Sequence, residues 1–191
     1  MNPKPRTGIA DVRAHYDEMG GSSYDLRYSE EQESKYTLAL DSVRIVEAEL
    51  VLDLGCGTGL FMDRQVVRAN SLVGLDVSAE LLSTAKKRLG RRTNASLILS
   101  DAHHLPFRAA VFDKAFMFTI AQDSPQPVFL LSETIRVLKS SGGLIVSGLK
   151  KSFNPDSFQA LLEKSSLSIS RFTDENFYDY IAVCVARHPS A

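Results

Sequence analysis

From residue 50 onward, short apolar runs alternate with stretches of helical spacing. "LVLDL" (50–54) is too brief for a helix and apolar throughout apart from one aspartate, the pattern of a strand buried on both faces. "SLVGLD" (71–76), "SLILSD" (96–101), "KAFMFTI" (114–120) and "GGLIVSGL" (142–149) repeat it, and "SISRF" (168–172) and "YIAVCVAR" (180–187) make seven predicted strands. Helices are expected between them. One covers about 59–68; the next is capped by Ser78, carries Leu81, Ala85 and Leu89 on one face, and ends at Gly90 behind Lys86, Lys87 and Arg88. Pro125 and Pro127 introduce a helix with Val128, Leu131, Ile135 and Leu138 on one side, and Asn154-Pro155 starts another. Upstream, Ile9, Val12, Tyr16 and Met19 recur at helical intervals until "GGSS" (20–23) interrupts them. Ser29 followed by Gln32 has the form of a capping box, and Ala39, Val43, Val46 and Leu50 continue a stripe behind it. Two N-terminal helices are therefore expected before the first strand.

Alternation of strand and helix predicts an α/β, doubly wound, Rossmann-like parallel sheet with helices on both faces. No repeat, low-complexity tract or domain boundary interrupts it, so one domain is expected over 1–191, with a helical lid or substrate segment over 1–48 and a core over 49–187. The net charge of −1 offers no global field for nucleic acid, so an RNA or DNA substrate would need a local patch or a basic partner. Two cysteines, Cys56 and Cys184, make no disulfide framework. The four histidines, His15, His103, His104 and His188, lack metal-ligand spacing, so no metal is expected. "MNPKPRTGIADVRAHYDEMGG" has no apolar signal core, and no run approaches the ~18 apolar residues of a membrane span. The expectation is a cytoplasmic protein.

The chemistry concentrates in "LDLGCGTGLF" (52–61), which leaves the end of the first strand and opens a helix, where open α/β sheets bind ligands. Gly55, Gly57 and Gly59 permit positive φ and close backbone approach, with Cys56 between the first two. Three readings are open: a bare turn, a dinucleotide site, or a site for a cationic nucleoside. A dinucleotide fingerprint wants its third glycine one place later, and Asp53 stands where a pyrophosphate would approach. A cationic, phosphate-free ligand such as S-adenosylmethionine (SAM) removes that conflict, with Asp53 orienting its ammonium end. Asp76 ends the second strand, about 20 residues on, placed to accept ribose hydroxyls. Asp101 ends the third strand where an adenine amino group would arrive, with the Ala102 amide facing a ring nitrogen; a plain helix cap or turn is the alternative.

The loop after the fourth strand, "TIAQDSPQP" (119–127), begins at Thr119, a further candidate cofactor contact. In it Gln122 and Asp123 are the catalytic candidates, able to hold or deprotonate an attacking nitrogen; a helix-entry loop with a capping aspartate is the other reading. His103 and His104 read as solvated rim residues, and "KKRLGRR" (86–92) as a helix end complementing its dipole. Lys150 and Lys151 are the better nucleic-acid candidates.

Taken together, "VLDLGCGTG", "GLDVSAELLSTAKKRL", "SDAHHLPFRAAVFDKAF" and "SETIRVLKSSGGLIVS" resemble the class I SAM-dependent methyltransferase family, in particular its methyltransferase-11-like members, over about residues 50–187. The resemblance implies a seven-stranded sheet of order 3-2-1-4-5-7-6 with strand 7 antiparallel. It also implies a SAM pocket built from Asp53, Gly55, Gly57, Asp76, Val77, Asp101 and Ala102. Ser-Ser-Gly-Gly stands where many members have Pro-Gly-Gly, and the Asn-Pro-Pro-Tyr motif that serves glutamine and adenine nitrogens is absent. "YDEMGGSSYDLRYSEEQESKY" (16–36) is similar to leaders that fold aromatic residues over the cofactor, which makes Tyr24, Arg27 and Tyr28 lid candidates and Arg27 a partner for the methionine carboxylate. Packing of a helix pair against the sheet is the alternative. The same leader is similar to that of enzymes acting on the translation machinery with a small zinc-ribbon activator subunit, which pairs beside strand three, here 96–100. The implied function is methylation of an RNA or protein factor in a heterodimer. A stand-alone small-molecule methyltransferase and a non-catalytic SAM-binding module are the alternatives.

Overall fold

Strand β1 (Leu50–Leu54) forms the middle of the sheet because its alternate side chains find apolar cover on both faces. Leu52 and Leu54 point one way and Val51 the other, which sends the Asp53 side chain to the Val51 face. The computed structural model describes residues 8–65, 69–176 and 178–187. Within them α1 (Ile9–Met19) and α2 (Gly21–Ser42) precede β1, followed by α3 (Leu60–Gln65), β2 (Ser71–Asp76), α4 (Ala79–Leu89) and β3 (Ala95–Leu99). The second half runs β4 (Phe112–Met117), α5 (Pro127–Val137), β5 (Leu138–Leu149), α6 (Pro155–Lys164), β6 (Leu167–Thr173) and β7 (Asp179–Ala186). The sheet order is β3-β2-β1-β4-β5-β7-β6. Pairs from β3 to β5 are parallel, and β7 runs antiparallel to both its neighbours, as the family resemblance implies.

Two cores sandwich the sheet. Leu52, Met117 and Val146 pack beneath Leu131 of α5 and Phe158 of α6. On the other face Val51, Phe116 and Ile145 meet Phe61 of α3, Leu82 of α4, and Tyr36 and Ala39 of α2. Helix α2 therefore contributes to the core as well as to the site.

Several boundaries differ from the sequence reading. The break between α1 and α2 is confined to Gly20, at φ 70°, and Ser29 lies inside α2 rather than at its start. Gly21 explains why the helix begins so early: a Cβ there would sit 2.0 Å from Thr84 Oγ1, so only glycine lets α2 lie against α4. At its other end α2 stops at Ser42, and Val43 is already extended, so Val43, Val46 and Leu50 do not continue the helical stripe. Val43, Ile45 and Val46 are all β-branched and favour extended backbone. Leu138 belongs to β5, not to the end of α5. Strand β4 ends at Met117, short of the expected residue 120, because Thr119 takes φ 59° and turns the chain out of the sheet. Strand β3 closes at Leu99, which leaves Asp101 in the following turn. Of the helix expected over 59–68, residues 66–68 lie outside the described residues, as does His188.

Candidate functional site

Because β1, β2 and β4 are parallel, their carboxyl ends open on one side of the sheet, and α1 and α2 cross that opening. The cleft beneath them measures about 760 Å³. Gly55, Gly57, Asp76 and Asp101 line one part, Thr119, Gln122 and Asp123 another, and Val12 and Tyr16 of α1 with Tyr24 and Tyr28 of α2 lie over them.

The loop after β1 is pinned by its own backbone. The amides of Gly55 and Cys56 both donate to the Leu75 carbonyl, at 2.8 and 3.0 Å, and the Gly57 amide donates to Asp76 Oδ2 at 2.8 Å. Gly57 takes φ 52°, and its open side faces the Tyr24 ring at 3.8 Å, so this glycine gives the cavity its bare backbone. Gly59 serves another purpose. A Cβ there would lie 3.1 Å from Ala85 Cβ, so it seats α3 against α4, and it is not on the cavity wall where the sequence reading put it.

Asp53 is 2% exposed and its Oδ2 has no hydrogen-bond partner. Burial, with the nearby Asp76 charge adding to it, pushes its carboxyl up to about 8. It lines a recess of about 10 Å³ that shares Tyr24, Gln32 and Gly55 with the main cavity, and Cys56 lines the same recess, its thiol pushed up by burial. Asp76, 7% exposed, accepts from Gly57 through one oxygen and from the Ser78 amide through the other, both at 2.8 Å. Burial still raises its carboxyl above the usual range. Val77, Asp101 and Ala102 line the cavity. A buried carboxyl with one oxygen unpartnered, beside glycine amides already committed to Leu75 and Asp76, suits a cationic amine and opposes a pyrophosphate.

On the other side, Thr119 is held twice. Its amide donates to Ser147 Oγ at 2.9 Å, and its hydroxyl accepts from the Lys35 ammonium of α2. Lys35 is fully buried, paired with the equally buried Asp179 at 3.0 Å and with Glu31 at 3.5 Å. Gln122 donates through Nε2 to the Thr119 carbonyl at 2.6 Å, while its Oε1 is buried with no partner. Asp123 accepts from the Tyr16 hydroxyl at 2.8 Å, a bond that closes α1 onto this loop.

Some expectations do not survive. Arg27 is exposed, off the cavity wall, with its guanidinium 5.9 Å over the Tyr28 ring, because its place on α2 faces solvent rather than the glycine loop. His103 is buried rather than solvated, held between Asp101 and Ser124. Lys150 and Lys151 do line the cavity, and Lys150 donates to the Asp174 carbonyl while lying over the Tyr180 ring. Lys86, Lys87 and Arg88 do form the last turn of α4, and Arg88 in addition clamps Asp25 of α2 and the Thr58 carbonyl, tying α4 to α2. Tyr16, Lys35 and His103 were not singled out as site residues. Lys35 had left a signal: Gln32, Lys35, Tyr36 and Ala39 are the buried positions of α2 at helical spacing, so polar residues occupy a core-facing stripe.

With this geometry in place, the family is readable. Residues 52–146 match the methyltransferase domain family Methyltransf_11. An uncharacterized protein of Methanocaldococcus jannaschii is 34% identical over 131 residues, covering 69% of this chain and 49% of that protein. The malonyl-[acyl-carrier protein] O-methyltransferase of a Marinomonas species is 30% identical over 136 residues, covering 70% and 50%. The chain thus spans about half the length of these relatives. Among solved structures, the methyltransferase in complex with the Haloferax volcanii Trm112 methyltransferase activator superposes with a TM-score of 0.79 at 17% identity, covering 91% of this chain and 98% of that one. No helix among the described residues is long and apolar enough to cross a membrane.

Proposed function

We propose that the chain transfers the methyl group of SAM to a nitrogen of a translation component, an RNA or a protein factor, and does so with a small zinc-ribbon activator subunit paired at β3. The observation that carries the partner is the open edge of the sheet. Strand β3, sequence ASLIL, has no fully buried residue, and Leu99 is 53% exposed. An apolar uncovered edge invites strand addition. The likeness to a methyltransferase solved with an activator supports the same reading.

Bound SAM would supply an electrophilic methyl group on a sulfonium. The chain's own residues then bind and align. Asp53 receives the ammonium end, directly or through a water, from behind the wall formed by Gly55 and Tyr24. Asp76, fixed by Gly57 and Ser78, accepts the ribose hydroxyls. Asp101 accepts the adenine amino group, with Ala102 and Val77 completing that end. On the acceptor side, Gln122 Oε1 is a buried acceptor with no partner, suited to an incoming N–H, and Asp123 stands next to it to take a proton. Such a displacement draws much of its rate from alignment, and a base adds to it. Helices α1 and α2 act as the lid that excludes water.

A second reading, a small acceptor methylated by the chain alone, is favoured by the size of the cavity. Its 760 Å³ falls in the range of roughly 300–1,000 Å³ that encloses drug-sized ligands. Transfer of labelled methyl from SAM to fractionated RNA, protein and small molecules decides, with and without the co-expressed zinc-ribbon subunit. The first reading expects label in RNA or protein and only with the subunit. Label in the small-molecule fraction from the chain alone contradicts it.

A further inference from the structure

Two residues beyond Asp101 the chain buries an imidazole that the reading above does not use. His103 is 7% exposed and stacks against Phe129 of α5, with centroids 6.3 Å apart and planes within 13°. Its Nδ1 lies 2.7 Å from Asp101 Oδ1 and its Nε2 lies 2.7 Å from Ser124 Oγ. Asp101 Oδ1 also accepts the His103 amide at 2.9 Å, and Ser124 Oγ accepts the Gln126 amide at 3.1 Å. All three side chains line the cavity, Asp101 at the cofactor end and Ser124 in the acceptor loop.

The protons on this chain follow from chemistry. A carboxylate only accepts, so Nδ1 carries the hydrogen that it donates to Asp101. In the neutral ring Nε2 is then an acceptor, taking the Ser124 hydroxyl hydrogen, while a lone pair of Oγ receives the Gln126 amide. Both ring nitrogens are engaged, so His103 has none left to take a proton from a methyl acceptor. It acts through its neighbours. Both described bonds to Asp101 fall on Oδ1, leaving Oδ2 for the cavity.

We propose that His103 is a positioning residue that couples the two halves of the site. It holds the Asp101 carboxylate in the orientation that reads the amino group of the cofactor's base, and through Ser124 it keeps the acceptor loop in register with that carboxylate. The inference rests on the assignment of Asp101 to the adenine end. Its consequence is that recognition of the base and order in residues 121–126 rise and fall together.

Two substitutions separate the arms. In His103→Asn the side-chain nitrogen falls where Nδ1 does and restores the donor to Asp101, but nothing reaches Ser124. In His103→Gln the amide reaches the position of Nε2 and keeps Ser124, but abandons Asp101. Calorimetry with S-adenosylhomocysteine (SAH) and with its purine analogue, which has a hydrogen in place of the amino group and keeps the ring nitrogens as acceptors, reads the first arm. The parent is expected to prefer SAH by about tenfold or more, the worth of one hydrogen bond to a charged acceptor. His103→Gln should bring that preference within about threefold and His103→Asn should retain it. Amide hydrogen exchange at 121–126 reads the second arm and should quicken in His103→Asn. If His103→Gln fails to fold, exchange in the parent still decides: SAH should slow 121–126 more than the purine analogue does. A His103→Gln protein that keeps the parent's preference, or equal protection by the two ligands, overturns the coupling. A parent that binds neither ligand overturns the cofactor reading itself.

Discussion

At Asp53 the fold holds a carboxyl group whose charge burial and the nearby Asp76 disfavour. Burial raises its carboxyl from 3.8 to about 8, so the folded chain retains a proton that the unfolded chain releases near pH 4. For an acid raised on folding, the associated stability is complete below the unfolded value and is lost as pH climbs through the folded one. Asp53→Asn removes that loss. Its melting temperature should exceed the parent's at pH 8, by roughly 2–4 °C per kcal/mol recovered, and match it near pH 4, while SAH affinity falls at least about tenfold. An unchanged melting temperature at pH 8 would show that the charge is not unfavourable there. Lys35 makes the opposite prediction. Removing it as Lys35→Met strands Asp179, whose carboxyl burial already pushes up, and should cost about 3–5 kcal/mol in denaturant unfolding. The loss should be larger at pH 8 than at pH 5, since a raised carboxyl loses stability as pH rises, and adding Asp179→Asn should restore much of it. The strand-end carboxylates were legible in sequence because each interrupts or closes an apolar run. Lys35 left only a polar position in a core-facing stripe, and the roles of Lys35 and His103 were not legible, because Thr119 and Ser124 lie 84 and 21 residues from them and only the fold brings them together.

Among the elements, strands were easier to read than helix ends. Strand β1 matches its expected bounds because an apolar run between polar flanks has one solution. The start of α2 went unread because Gly21 looks like a breaker, and its function is close packing on Thr84 across 63 residues of chain. Gly21→Ala, despite better helix propensity, should therefore destabilise by about 1–3 kcal/mol, measured by thermal or urea unfolding. A more stable Gly21→Ala would mean that α2 does not pack there. Strand β3 carries the partner prediction. Leu99→Lys places a charge at its exposed end, so it should leave SAH binding unchanged and abolish co-purification of a co-expressed zinc-ribbon subunit. Retained co-purification would move the partner elsewhere.

For the molecule as a whole, the alternation of strand and helix made the layering legible, while the order β3-β2-β1-β4-β5-β7-β6 came from resemblance, since periodicity says nothing about which strands are neighbours. The cavity was legible only in part. Its floor follows from the strand ends, but its roof depends on polar clamps, Tyr16 to Asp123 and Arg88 to Asp25, between segments far apart in sequence. In the function proposed, the buried carboxyl at the end of β1 receives the ammonium end of a phosphate-free nucleoside. Calorimetric titration of the purified chain with SAH at pH 7, repeated in two buffers of different ionisation enthalpy, tests it most directly. With Asp53 pushed up to about 8, it is largely protonated at pH 7, and an arriving ammonium drives the proton off. The account predicts saturable binding of SAH with proton release to the buffer, and release that disappears in Asp53→Asn. Uptake of NAD with no response to SAH, or SAH binding with no proton released, would contradict it.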